Sequence, residues 1–143
     1  MWGDPLDDLE VAMQRLQEGK LTLVIVKDGR LLYEGSDHGI KSLVDAIEQN
    51  GTLLRGASLA DSVVGRAAAL LSIHAGIIAV YGMTMSEKAR EVLVDNSVKL
   101  QFSRMVPRIM NRRGDDFCPF EKAVLDVDEP AEAFAKLKIF RPY

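Results

Sequence analysis

The sequence predicts a three-layer α/β domain, a mixed β-sheet with helices on both faces. Three observations predict it. The β-branched run Leu21–Lys27 and the run Arg30–Glu34 flank Asp28-Gly29, the strongest short-range signal for a hairpin. Beyond them, apolar stripes of helical period alternate with short apolar runs, the pattern of strands joined by crossover helices. The length, 143 residues, is that of one domain built on one core.

The elements follow in order. Asp4 is placed to cap a first helix, with Pro5 at its first position and Gly19 as its stop. Leu6, Leu9, Met13 and Leu16 give that helix a single apolar stripe. Leu21–Lys27 and Arg30–Glu34 are the hairpin strands, and Ile40, Leu43, Val44 and Ile47 mark a second helix closed by Asn50-Gly51. Asp61 reads as the cap of a third helix over Ser62–Ala75, stopped by Gly76, and Ile77–Tyr81 as a short buried strand. Thr84 with Glu87 has the spacing of a capping box for a fourth helix carrying Met85, Ala89, Val92 and Leu93. Lys99–Val106 is a strand ended by Pro107, and Arg108–Phe117 is an aperiodic loop. Pro119 opens a helix to about Leu125, and Asp128 with Pro130 opens the last one. The predicted order is α-β-β-α-α-β-α-β-α-α.

Composition narrows the function. With 48% hydrophobic and 27% charged residues and no internal repeat, this is an ordinary folded chain. A net charge of -3 argues against nucleic acid or a membrane surface as partner through bulk charge. Met1-Trp2-Gly3-Asp4-Pro5 lacks the basic start of a signal peptide. The apolar stretch over 67–80 is interrupted by Ser72, His74 and Gly76, too short to cross a bilayer. A single cysteine, Cys118, excludes an intramolecular disulfide and fits a reducing, cytoplasmic compartment.

The order of elements resembles the cytidine-deaminase-like fold. The stretches Asp61-Ser62-Val63-Val64-Gly65-Arg66-Ala67-Ala68-Ala69, Met83-Thr84-Met85-Ser86-Glu87, Asn111-Arg112-Arg113-Gly114 and Cys118-Pro119-Phe120-Glu121 further resemble a small bacterial domain family of unknown function with that fold. The resemblance spans nearly the whole chain and implies a fold rather than a reaction. Zinc deaminases draw metal ligands from two adjacent helix starts, in an H-x-E and a P-C-x-x-C pattern, with the glutamate shuttling protons. The matching positions here are Val64-Gly65-Arg66-Ala67 and Thr84-Met85-Ser86-Glu87, which carry neither pattern. His38, His74 and Cys118 lie far apart in sequence, so no local zinc spacing exists. The expectation is therefore no metal and no cofactor.

Candidate residues remain, each with a structural alternative. Arg66 sits near a helix start, where the helix dipole disfavours a cation. Gly65 and the following alanines let another element approach closely there. Arg66 reads as a contact for an anion or phosphate, or else as an ion pair with Asp61. Asp61 reads as a cap, or as the group that orients Arg66. Ser86 and Thr84 are caps first, although exposed N–H groups at a helix start also bind anions. In the run Arg104, Arg108, Arg112 and Arg113, Arg112 is placed at a pocket rim. Cys118, ahead of Pro119 at a helix start, reads as a thiol with lowered pKa, with Glu121 one turn on; these two are the candidate catalytic pair. Its alternative is a buried structural cysteine. His74 reads as a charge at a helix C-terminus.

The reading is a metal-independent ligand-binding or enzymatic domain. Its pocket lies where the zinc would have been, built from Asp61, Gly65, Arg66, Ser86, Arg112, Cys118 and Glu121, for a small anion or nucleotide-like molecule. The rival is a catalytically inactive scaffold acting as a regulatory or interaction module, with a homodimer left open. A cysteine-dependent hydrolase or transferase is the third.

Overall fold

A hairpin organises one edge of the sheet in the computed structural model, which describes residues 5–142, the side chains of Pro5 and Leu6 excepted. The cap expected at Asp4 lies outside the described residues. Strands β1 (Leu23–Lys27) and β2 (Arg30–Gly35) pair antiparallel through Asp28 and Gly29, both at positive φ (51° and 75°). That is the left-handed backbone a tight two-residue turn needs, and Asp and Gly tolerate it. Helix α1 (Pro5–Glu18) packs Leu9, Ala12 and Leu16 against Val24, Val26, Ala60 and Tyr81 on one face of the sheet. From the same helix the buried Asp8 accepts the N–H groups of Asp28 and Gly29, each at 2.9 Å. One carboxylate thus ties the turn to the helix that covers the hairpin.

The sheet runs β2-β1-β3-β4-β5; β1 is antiparallel to β2 and β3, whereas β3, β4 and β5 are parallel. Strand β3 (Ser58–Val64) corrects the sequence reading. Asp61 lies within this strand and not at a helix cap, and Ser62–Val64 are strand rather than helix. The strand is central, with Ser58, Leu59 and Ala60 all fully buried. A strand covered on both faces shows no alternation to read, and its small and polar residues imitate a turn. Helix α3 then covers Arg66–Ala75 and ends at Gly76 in a left-handed conformation.

Strand β4 (Ala79–Ser86) runs five residues past the expected Ile77–Tyr81, so Thr84 and Met85 belong to it. The capping box at Thr84 does not form; instead Ser86 caps α4 (Glu87–Asp95), its hydroxyl accepting the N–H of Ala89 at 3.0 Å. Helix α2 (Lys41–Asn50) and strand β5 (Lys99–Val106) fall where the periodicity placed them. Helix α5 (Pro119–Ala123) is shorter than expected, and α6 (Pro130–Leu137) is preceded by Glu129 rather than Asp128. His74 stacks on Phe134 of α6, ring centroids 4.7 Å apart.

Helices α2, α3, α4, α5 and α6 share the core on the second face, where Leu43, Leu71, Leu93, Phe120 and Leu137 meet Leu59 and Val80. The three-layer mixed sheet predicted from the sequence is present. Among the described residues no helix is long and apolar enough to cross a membrane. The carboxyl ends of β3 and β4 deliver the chain to the starts of α3 and α4, the edge at which open α/β sheets place ligands.

Replacing Asp8 with Ala should cost about 1.5–3 kcal/mol, the value of hydrogen bonds to a charged group. Urea denaturation measures it; an unchanged midpoint would show that the turn holds its form without the carboxylate.

Candidate functional site

A helix start leaves backbone N–H groups without intrahelical partners. At α3 a side chain from 55 residues away meets them. Glu121 of α5 accepts the N–H of Arg66 through Oε1 at 2.6 Å and that of Ala67 through Oε2 at 2.7 Å. Gly65 makes the approach possible, since a Cβ there would lie 2.4 Å from Oε1 and 2.6 Å from Cδ. The glycine is required for space; its φ of -99° suits any residue. Burial pushes the Glu121 carboxyl above its ordinary value, opposed by the two N–H groups and the charge of Arg66.

Arg66 turns the other way. Its Nε donates to the carbonyl of Val124 at 3.2 Å, and its Nη2 to the carbonyl of Val127 at 2.6 Å and to Asp128 at 2.9 Å. The ion pair expected with Asp61 is therefore made with Asp128, which the sequence marked only as a helix opener. The α5–α6 segment and the start of α3 are laced in both directions, a carboxylate onto N–H groups and a guanidinium onto carbonyls. The anion expected at the α3 start has an internal counterpart: the Glu121 carboxylate accepts two of the N–H groups there, and Arg66 donates to Val124, Val127 and Asp128.

The seven expected residues divide between two cavities. Asp61, Gly65, Arg112, Cys118 and Glu121 line one of about 220 Å³, together with His38, Ile109 and Phe120. Arg66, Ser86 and Glu121 line another of about 610 Å³ beside Arg108 and Lys122. Glu121 belongs to both and forms part of the wall between them. Ser86 is 1% exposed, with its hydroxyl committed to the α4 cap. Arg112 is carried by the 108–117 loop, which Asn111 shapes by accepting the N–H groups of Gly114 and Asp115. His38 and Phe120 are wall residues that the sequence did not mark for this role. The chain's turn after β2 and the α5 start bring them in, and no local pattern signals either.

Asp61 is the unusual group of the smaller cavity. Its side chain is buried, and its Oδ1 accepts the N–H of Val63 at 3.2 Å. Burial, only partly offset by the N–H groups of Val63 and Ser62, pushes the carboxyl up to about 7. A carboxyl raised this far can keep its proton, and so donate as well as accept, at pH values where an ordinary one only accepts.

Cys118 departs from expectation in sign. Burial raises its thiol above the ordinary value, the N–H groups of Glu121 and Phe120 oppose this, and the Glu121 charge adds to the rise. A five-residue helix supplies too little dipole to outweigh burial. His74 lines neither cavity.

A deaminase-type metal does not fit what stands at the two helix starts. The Glu121 carboxylate holds two backbone N–H groups and the Ser86 hydroxyl holds a third. Among the described residues no group of three or more His, Cys, Asp or Glu side chains is gathered as metal ligands.

Fold and site define a deaminase-like α/β domain with a glutamate closing the first helix start. The chain belongs to the TM1506 family, a domain of unknown function (DUF1893), whose family model matches residues 11–140. The crystal structure of the DUF1893 family protein TM1506 from Thermotoga maritima is similar at a TM-score of 0.83 and 25% identity, covering 92% of this chain and 88% of that one. RibD of Acinetobacter baumannii is similar at 0.54 and 18% identity, over 70% of this chain and 36% of that one. A dCMP deaminase from cyanophage S-TIM5 gives 0.49 and 14% identity, over 71% of this chain and 96% of that one. The fold is cytidine-deaminase-like, and with RibD the likeness is one of fold alone. No curated protein matches the chain.

The Gly65–Glu121 contact makes a paired prediction. Gly65→Ala should destabilise by about 1–3 kcal/mol through overpacking, and Glu121→Ala by a similar amount through two unmet N–H groups. The double variant should cost clearly less than the sum, because the added methyl no longer meets a carboxylate. A denaturation double-mutant cycle reads the coupling; strict additivity would show that the two residues do not meet.

Proposed function

We propose that this chain is a metal-independent small-molecule-binding domain whose ligand occupies the cavity at Asp61. The observation that carries the reading is the buried Asp61 carboxyl, held at about 7 in a cavity wall without a cationic partner among its hydrogen bonds. Burying a carboxyl costs folding free energy, and groups kept in that condition beside a cavity cluster at functional sites.

Chemistry selects the ligand class. A carboxyl that both donates and accepts suits the edge of a heterocycle carrying adjacent N–H and ring-nitrogen groups. The apolar walls Ile40, Ile109 and Phe120 suit the faces of such a ring. The reading is thus nucleotide-like rather than a bare anion, with Arg112 the cation of this cavity. Glu121 is a structural acceptor and Cys118 a wall thiol, so binding is favoured over cysteine catalysis. The single cysteine supports a cytoplasmic setting.

The inactive-scaffold reading has one observation in its favour: Glu121 accepts two of the N–H groups at the α3 start from within the chain. It differs in what the Asp61 cavity does.

Asp61 separates the two. Its folded-state value is raised, so the folded protein binds more protons than the unfolded chain between about pH 4 and 7. The contribution is present in full below about pH 4 and is lost as pH rises to 7, a loss of a few kcal/mol. Asp61→Asn should remove that slope and be the more stable protein at pH 8. Nucleobases and nucleosides, screened by thermal shift at pH 7.5, should include one that raises the wild-type melting temperature and binds Asp61→Asn about tenfold more weakly or worse. If no compound shifts either protein, the scaffold reading stands.

A further inference from the structure

The cavity at Asp61 adjoins a third, of about 290 Å³, between the first turn of α2 and the C-terminal residues 137–142. His38, Ile40, Arg112 and Phe120 line both, so the two cavities share a wall. Phe140 braces that wall, its ring meeting Phe120 edge-on at 5.7 Å.

The two compartments differ in charge. The Asp61 cavity contains two carboxyls, Asp61 and Glu121, and one arginine. The adjoining cavity brings Lys41, Arg112 and Arg141 together against one carboxylate, Asp45, which Lys41 meets at 2.8 Å. A basic compartment on a chain of net charge -3 is local design rather than bulk composition. The 610 Å³ cavity has less of this bias, because its four cations face three carboxylates.

We propose that the compartment formed by Lys41, Arg112 and Arg141 is an anion subsite for the ligand held at Asp61, which is then a phosphate ester of a hydrogen-bonding heterocycle. This rests on the reading of the Asp61 cavity as a ligand site. The head of the molecule lies against Asp61 and between Ile109 and Phe120, and its phosphate passes His38 to the three cations. Arg141 is set by its own backbone, Nη1 donating to the carbonyls of Lys138 and Phe140 at 2.9 and 3.0 Å. Charge-assisted contacts of this kind are the strong ones in anion recognition, and arginine suits phosphate geometry. The C-terminal segment therefore takes part in selecting the ligand.

The test compares each common nucleoside with its 5′-monophosphate by calorimetry, and uses pyrophosphate alone as a third probe. The wild type should bind a monophosphate about tenfold or more tighter than its nucleoside. Lys41→Met and Arg141→Met should each remove most of that advantage while leaving nucleoside affinity unchanged. Lys41→Met guards against a mere unravelling of the C-terminal segment in Arg141→Met. Pyrophosphate should bind wild type and Asp61→Asn alike and both Met variants more weakly, which reads the subsite without the head. Equal affinity for nucleoside and monophosphate, or loss of nucleoside binding in Lys41→Met, would overturn the subsite while leaving the Asp61 cavity as a ligand site. Pyrophosphate binding sensitive to the Met variants, with no nucleoside bound, would keep the anion subsite and end the Asp61 reading. No binding by any probe would end both.

Discussion

One carboxylate across two backbone N–H groups organises the site end of this domain. Glu121 lies over the start of α3, at the point where the chain leaves the carboxyl end of a parallel strand. In an open α/β sheet that point is where anions and cofactors are met, because unpaired donors and the helix dipole converge there. Here the chain supplies its own anion. Three further features depend on it. Residue 65 must be glycine to admit the carboxylate. Helix α5 must sit close enough to deliver it. Arg66 is left to tie down the carbonyls of Val124 and Val127. Two of the N–H donors at this helix start are thus met from within the chain.

On the proposed function, polar recognition falls to the groups left around the smaller cavity. Asp61 is a group whose environment opposes its charge, since β3 carries it into a buried wall where its hydrogen bond comes from the backbone N–H of Val63. Its neighbour Cys118 is pushed the same way by burial and stays a thiol. Two acids held towards their neutral forms make a surface of weak donors and acceptors. Such a surface suits a neutral heterocycle better than an anion, and the cations lie one compartment away, at Lys41, Arg112 and Arg141.

The legibility of these features in the sequence follows from how local their causes are. The hairpin at Asp28-Gly29, the α2 stripe and β5 each rest on neighbouring residues, and each stands where the pattern placed it. Strand β3 was hidden because it is buried on both faces and built from small and polar residues, so that Asp61 imitated a helix cap. The extension of β4 was hidden for a related reason: Gly82 and Thr84 interrupt its apolar run. At the site, the small residues around Gly65 signalled a close approach without saying by what. The partner, Glu121, is 55 residues away, and the partner of Arg66 is 62 residues away. The thiol shift reversed because burial, a tertiary property, outweighed the dipole of a short helix.

The central claim is that polar recognition has moved from the α3 start, closed by Glu121, to the buried carboxyl of Asp61. Its most direct test is the titration of the Asp61 side-chain carboxyl, followed by carbon NMR on labelled protein and assigned by its loss in Asp61→Asn. The account predicts a midpoint near 7. A midpoint at the ordinary value of about 4 would mean that water or a cation reaches the carboxyl, and would contradict it.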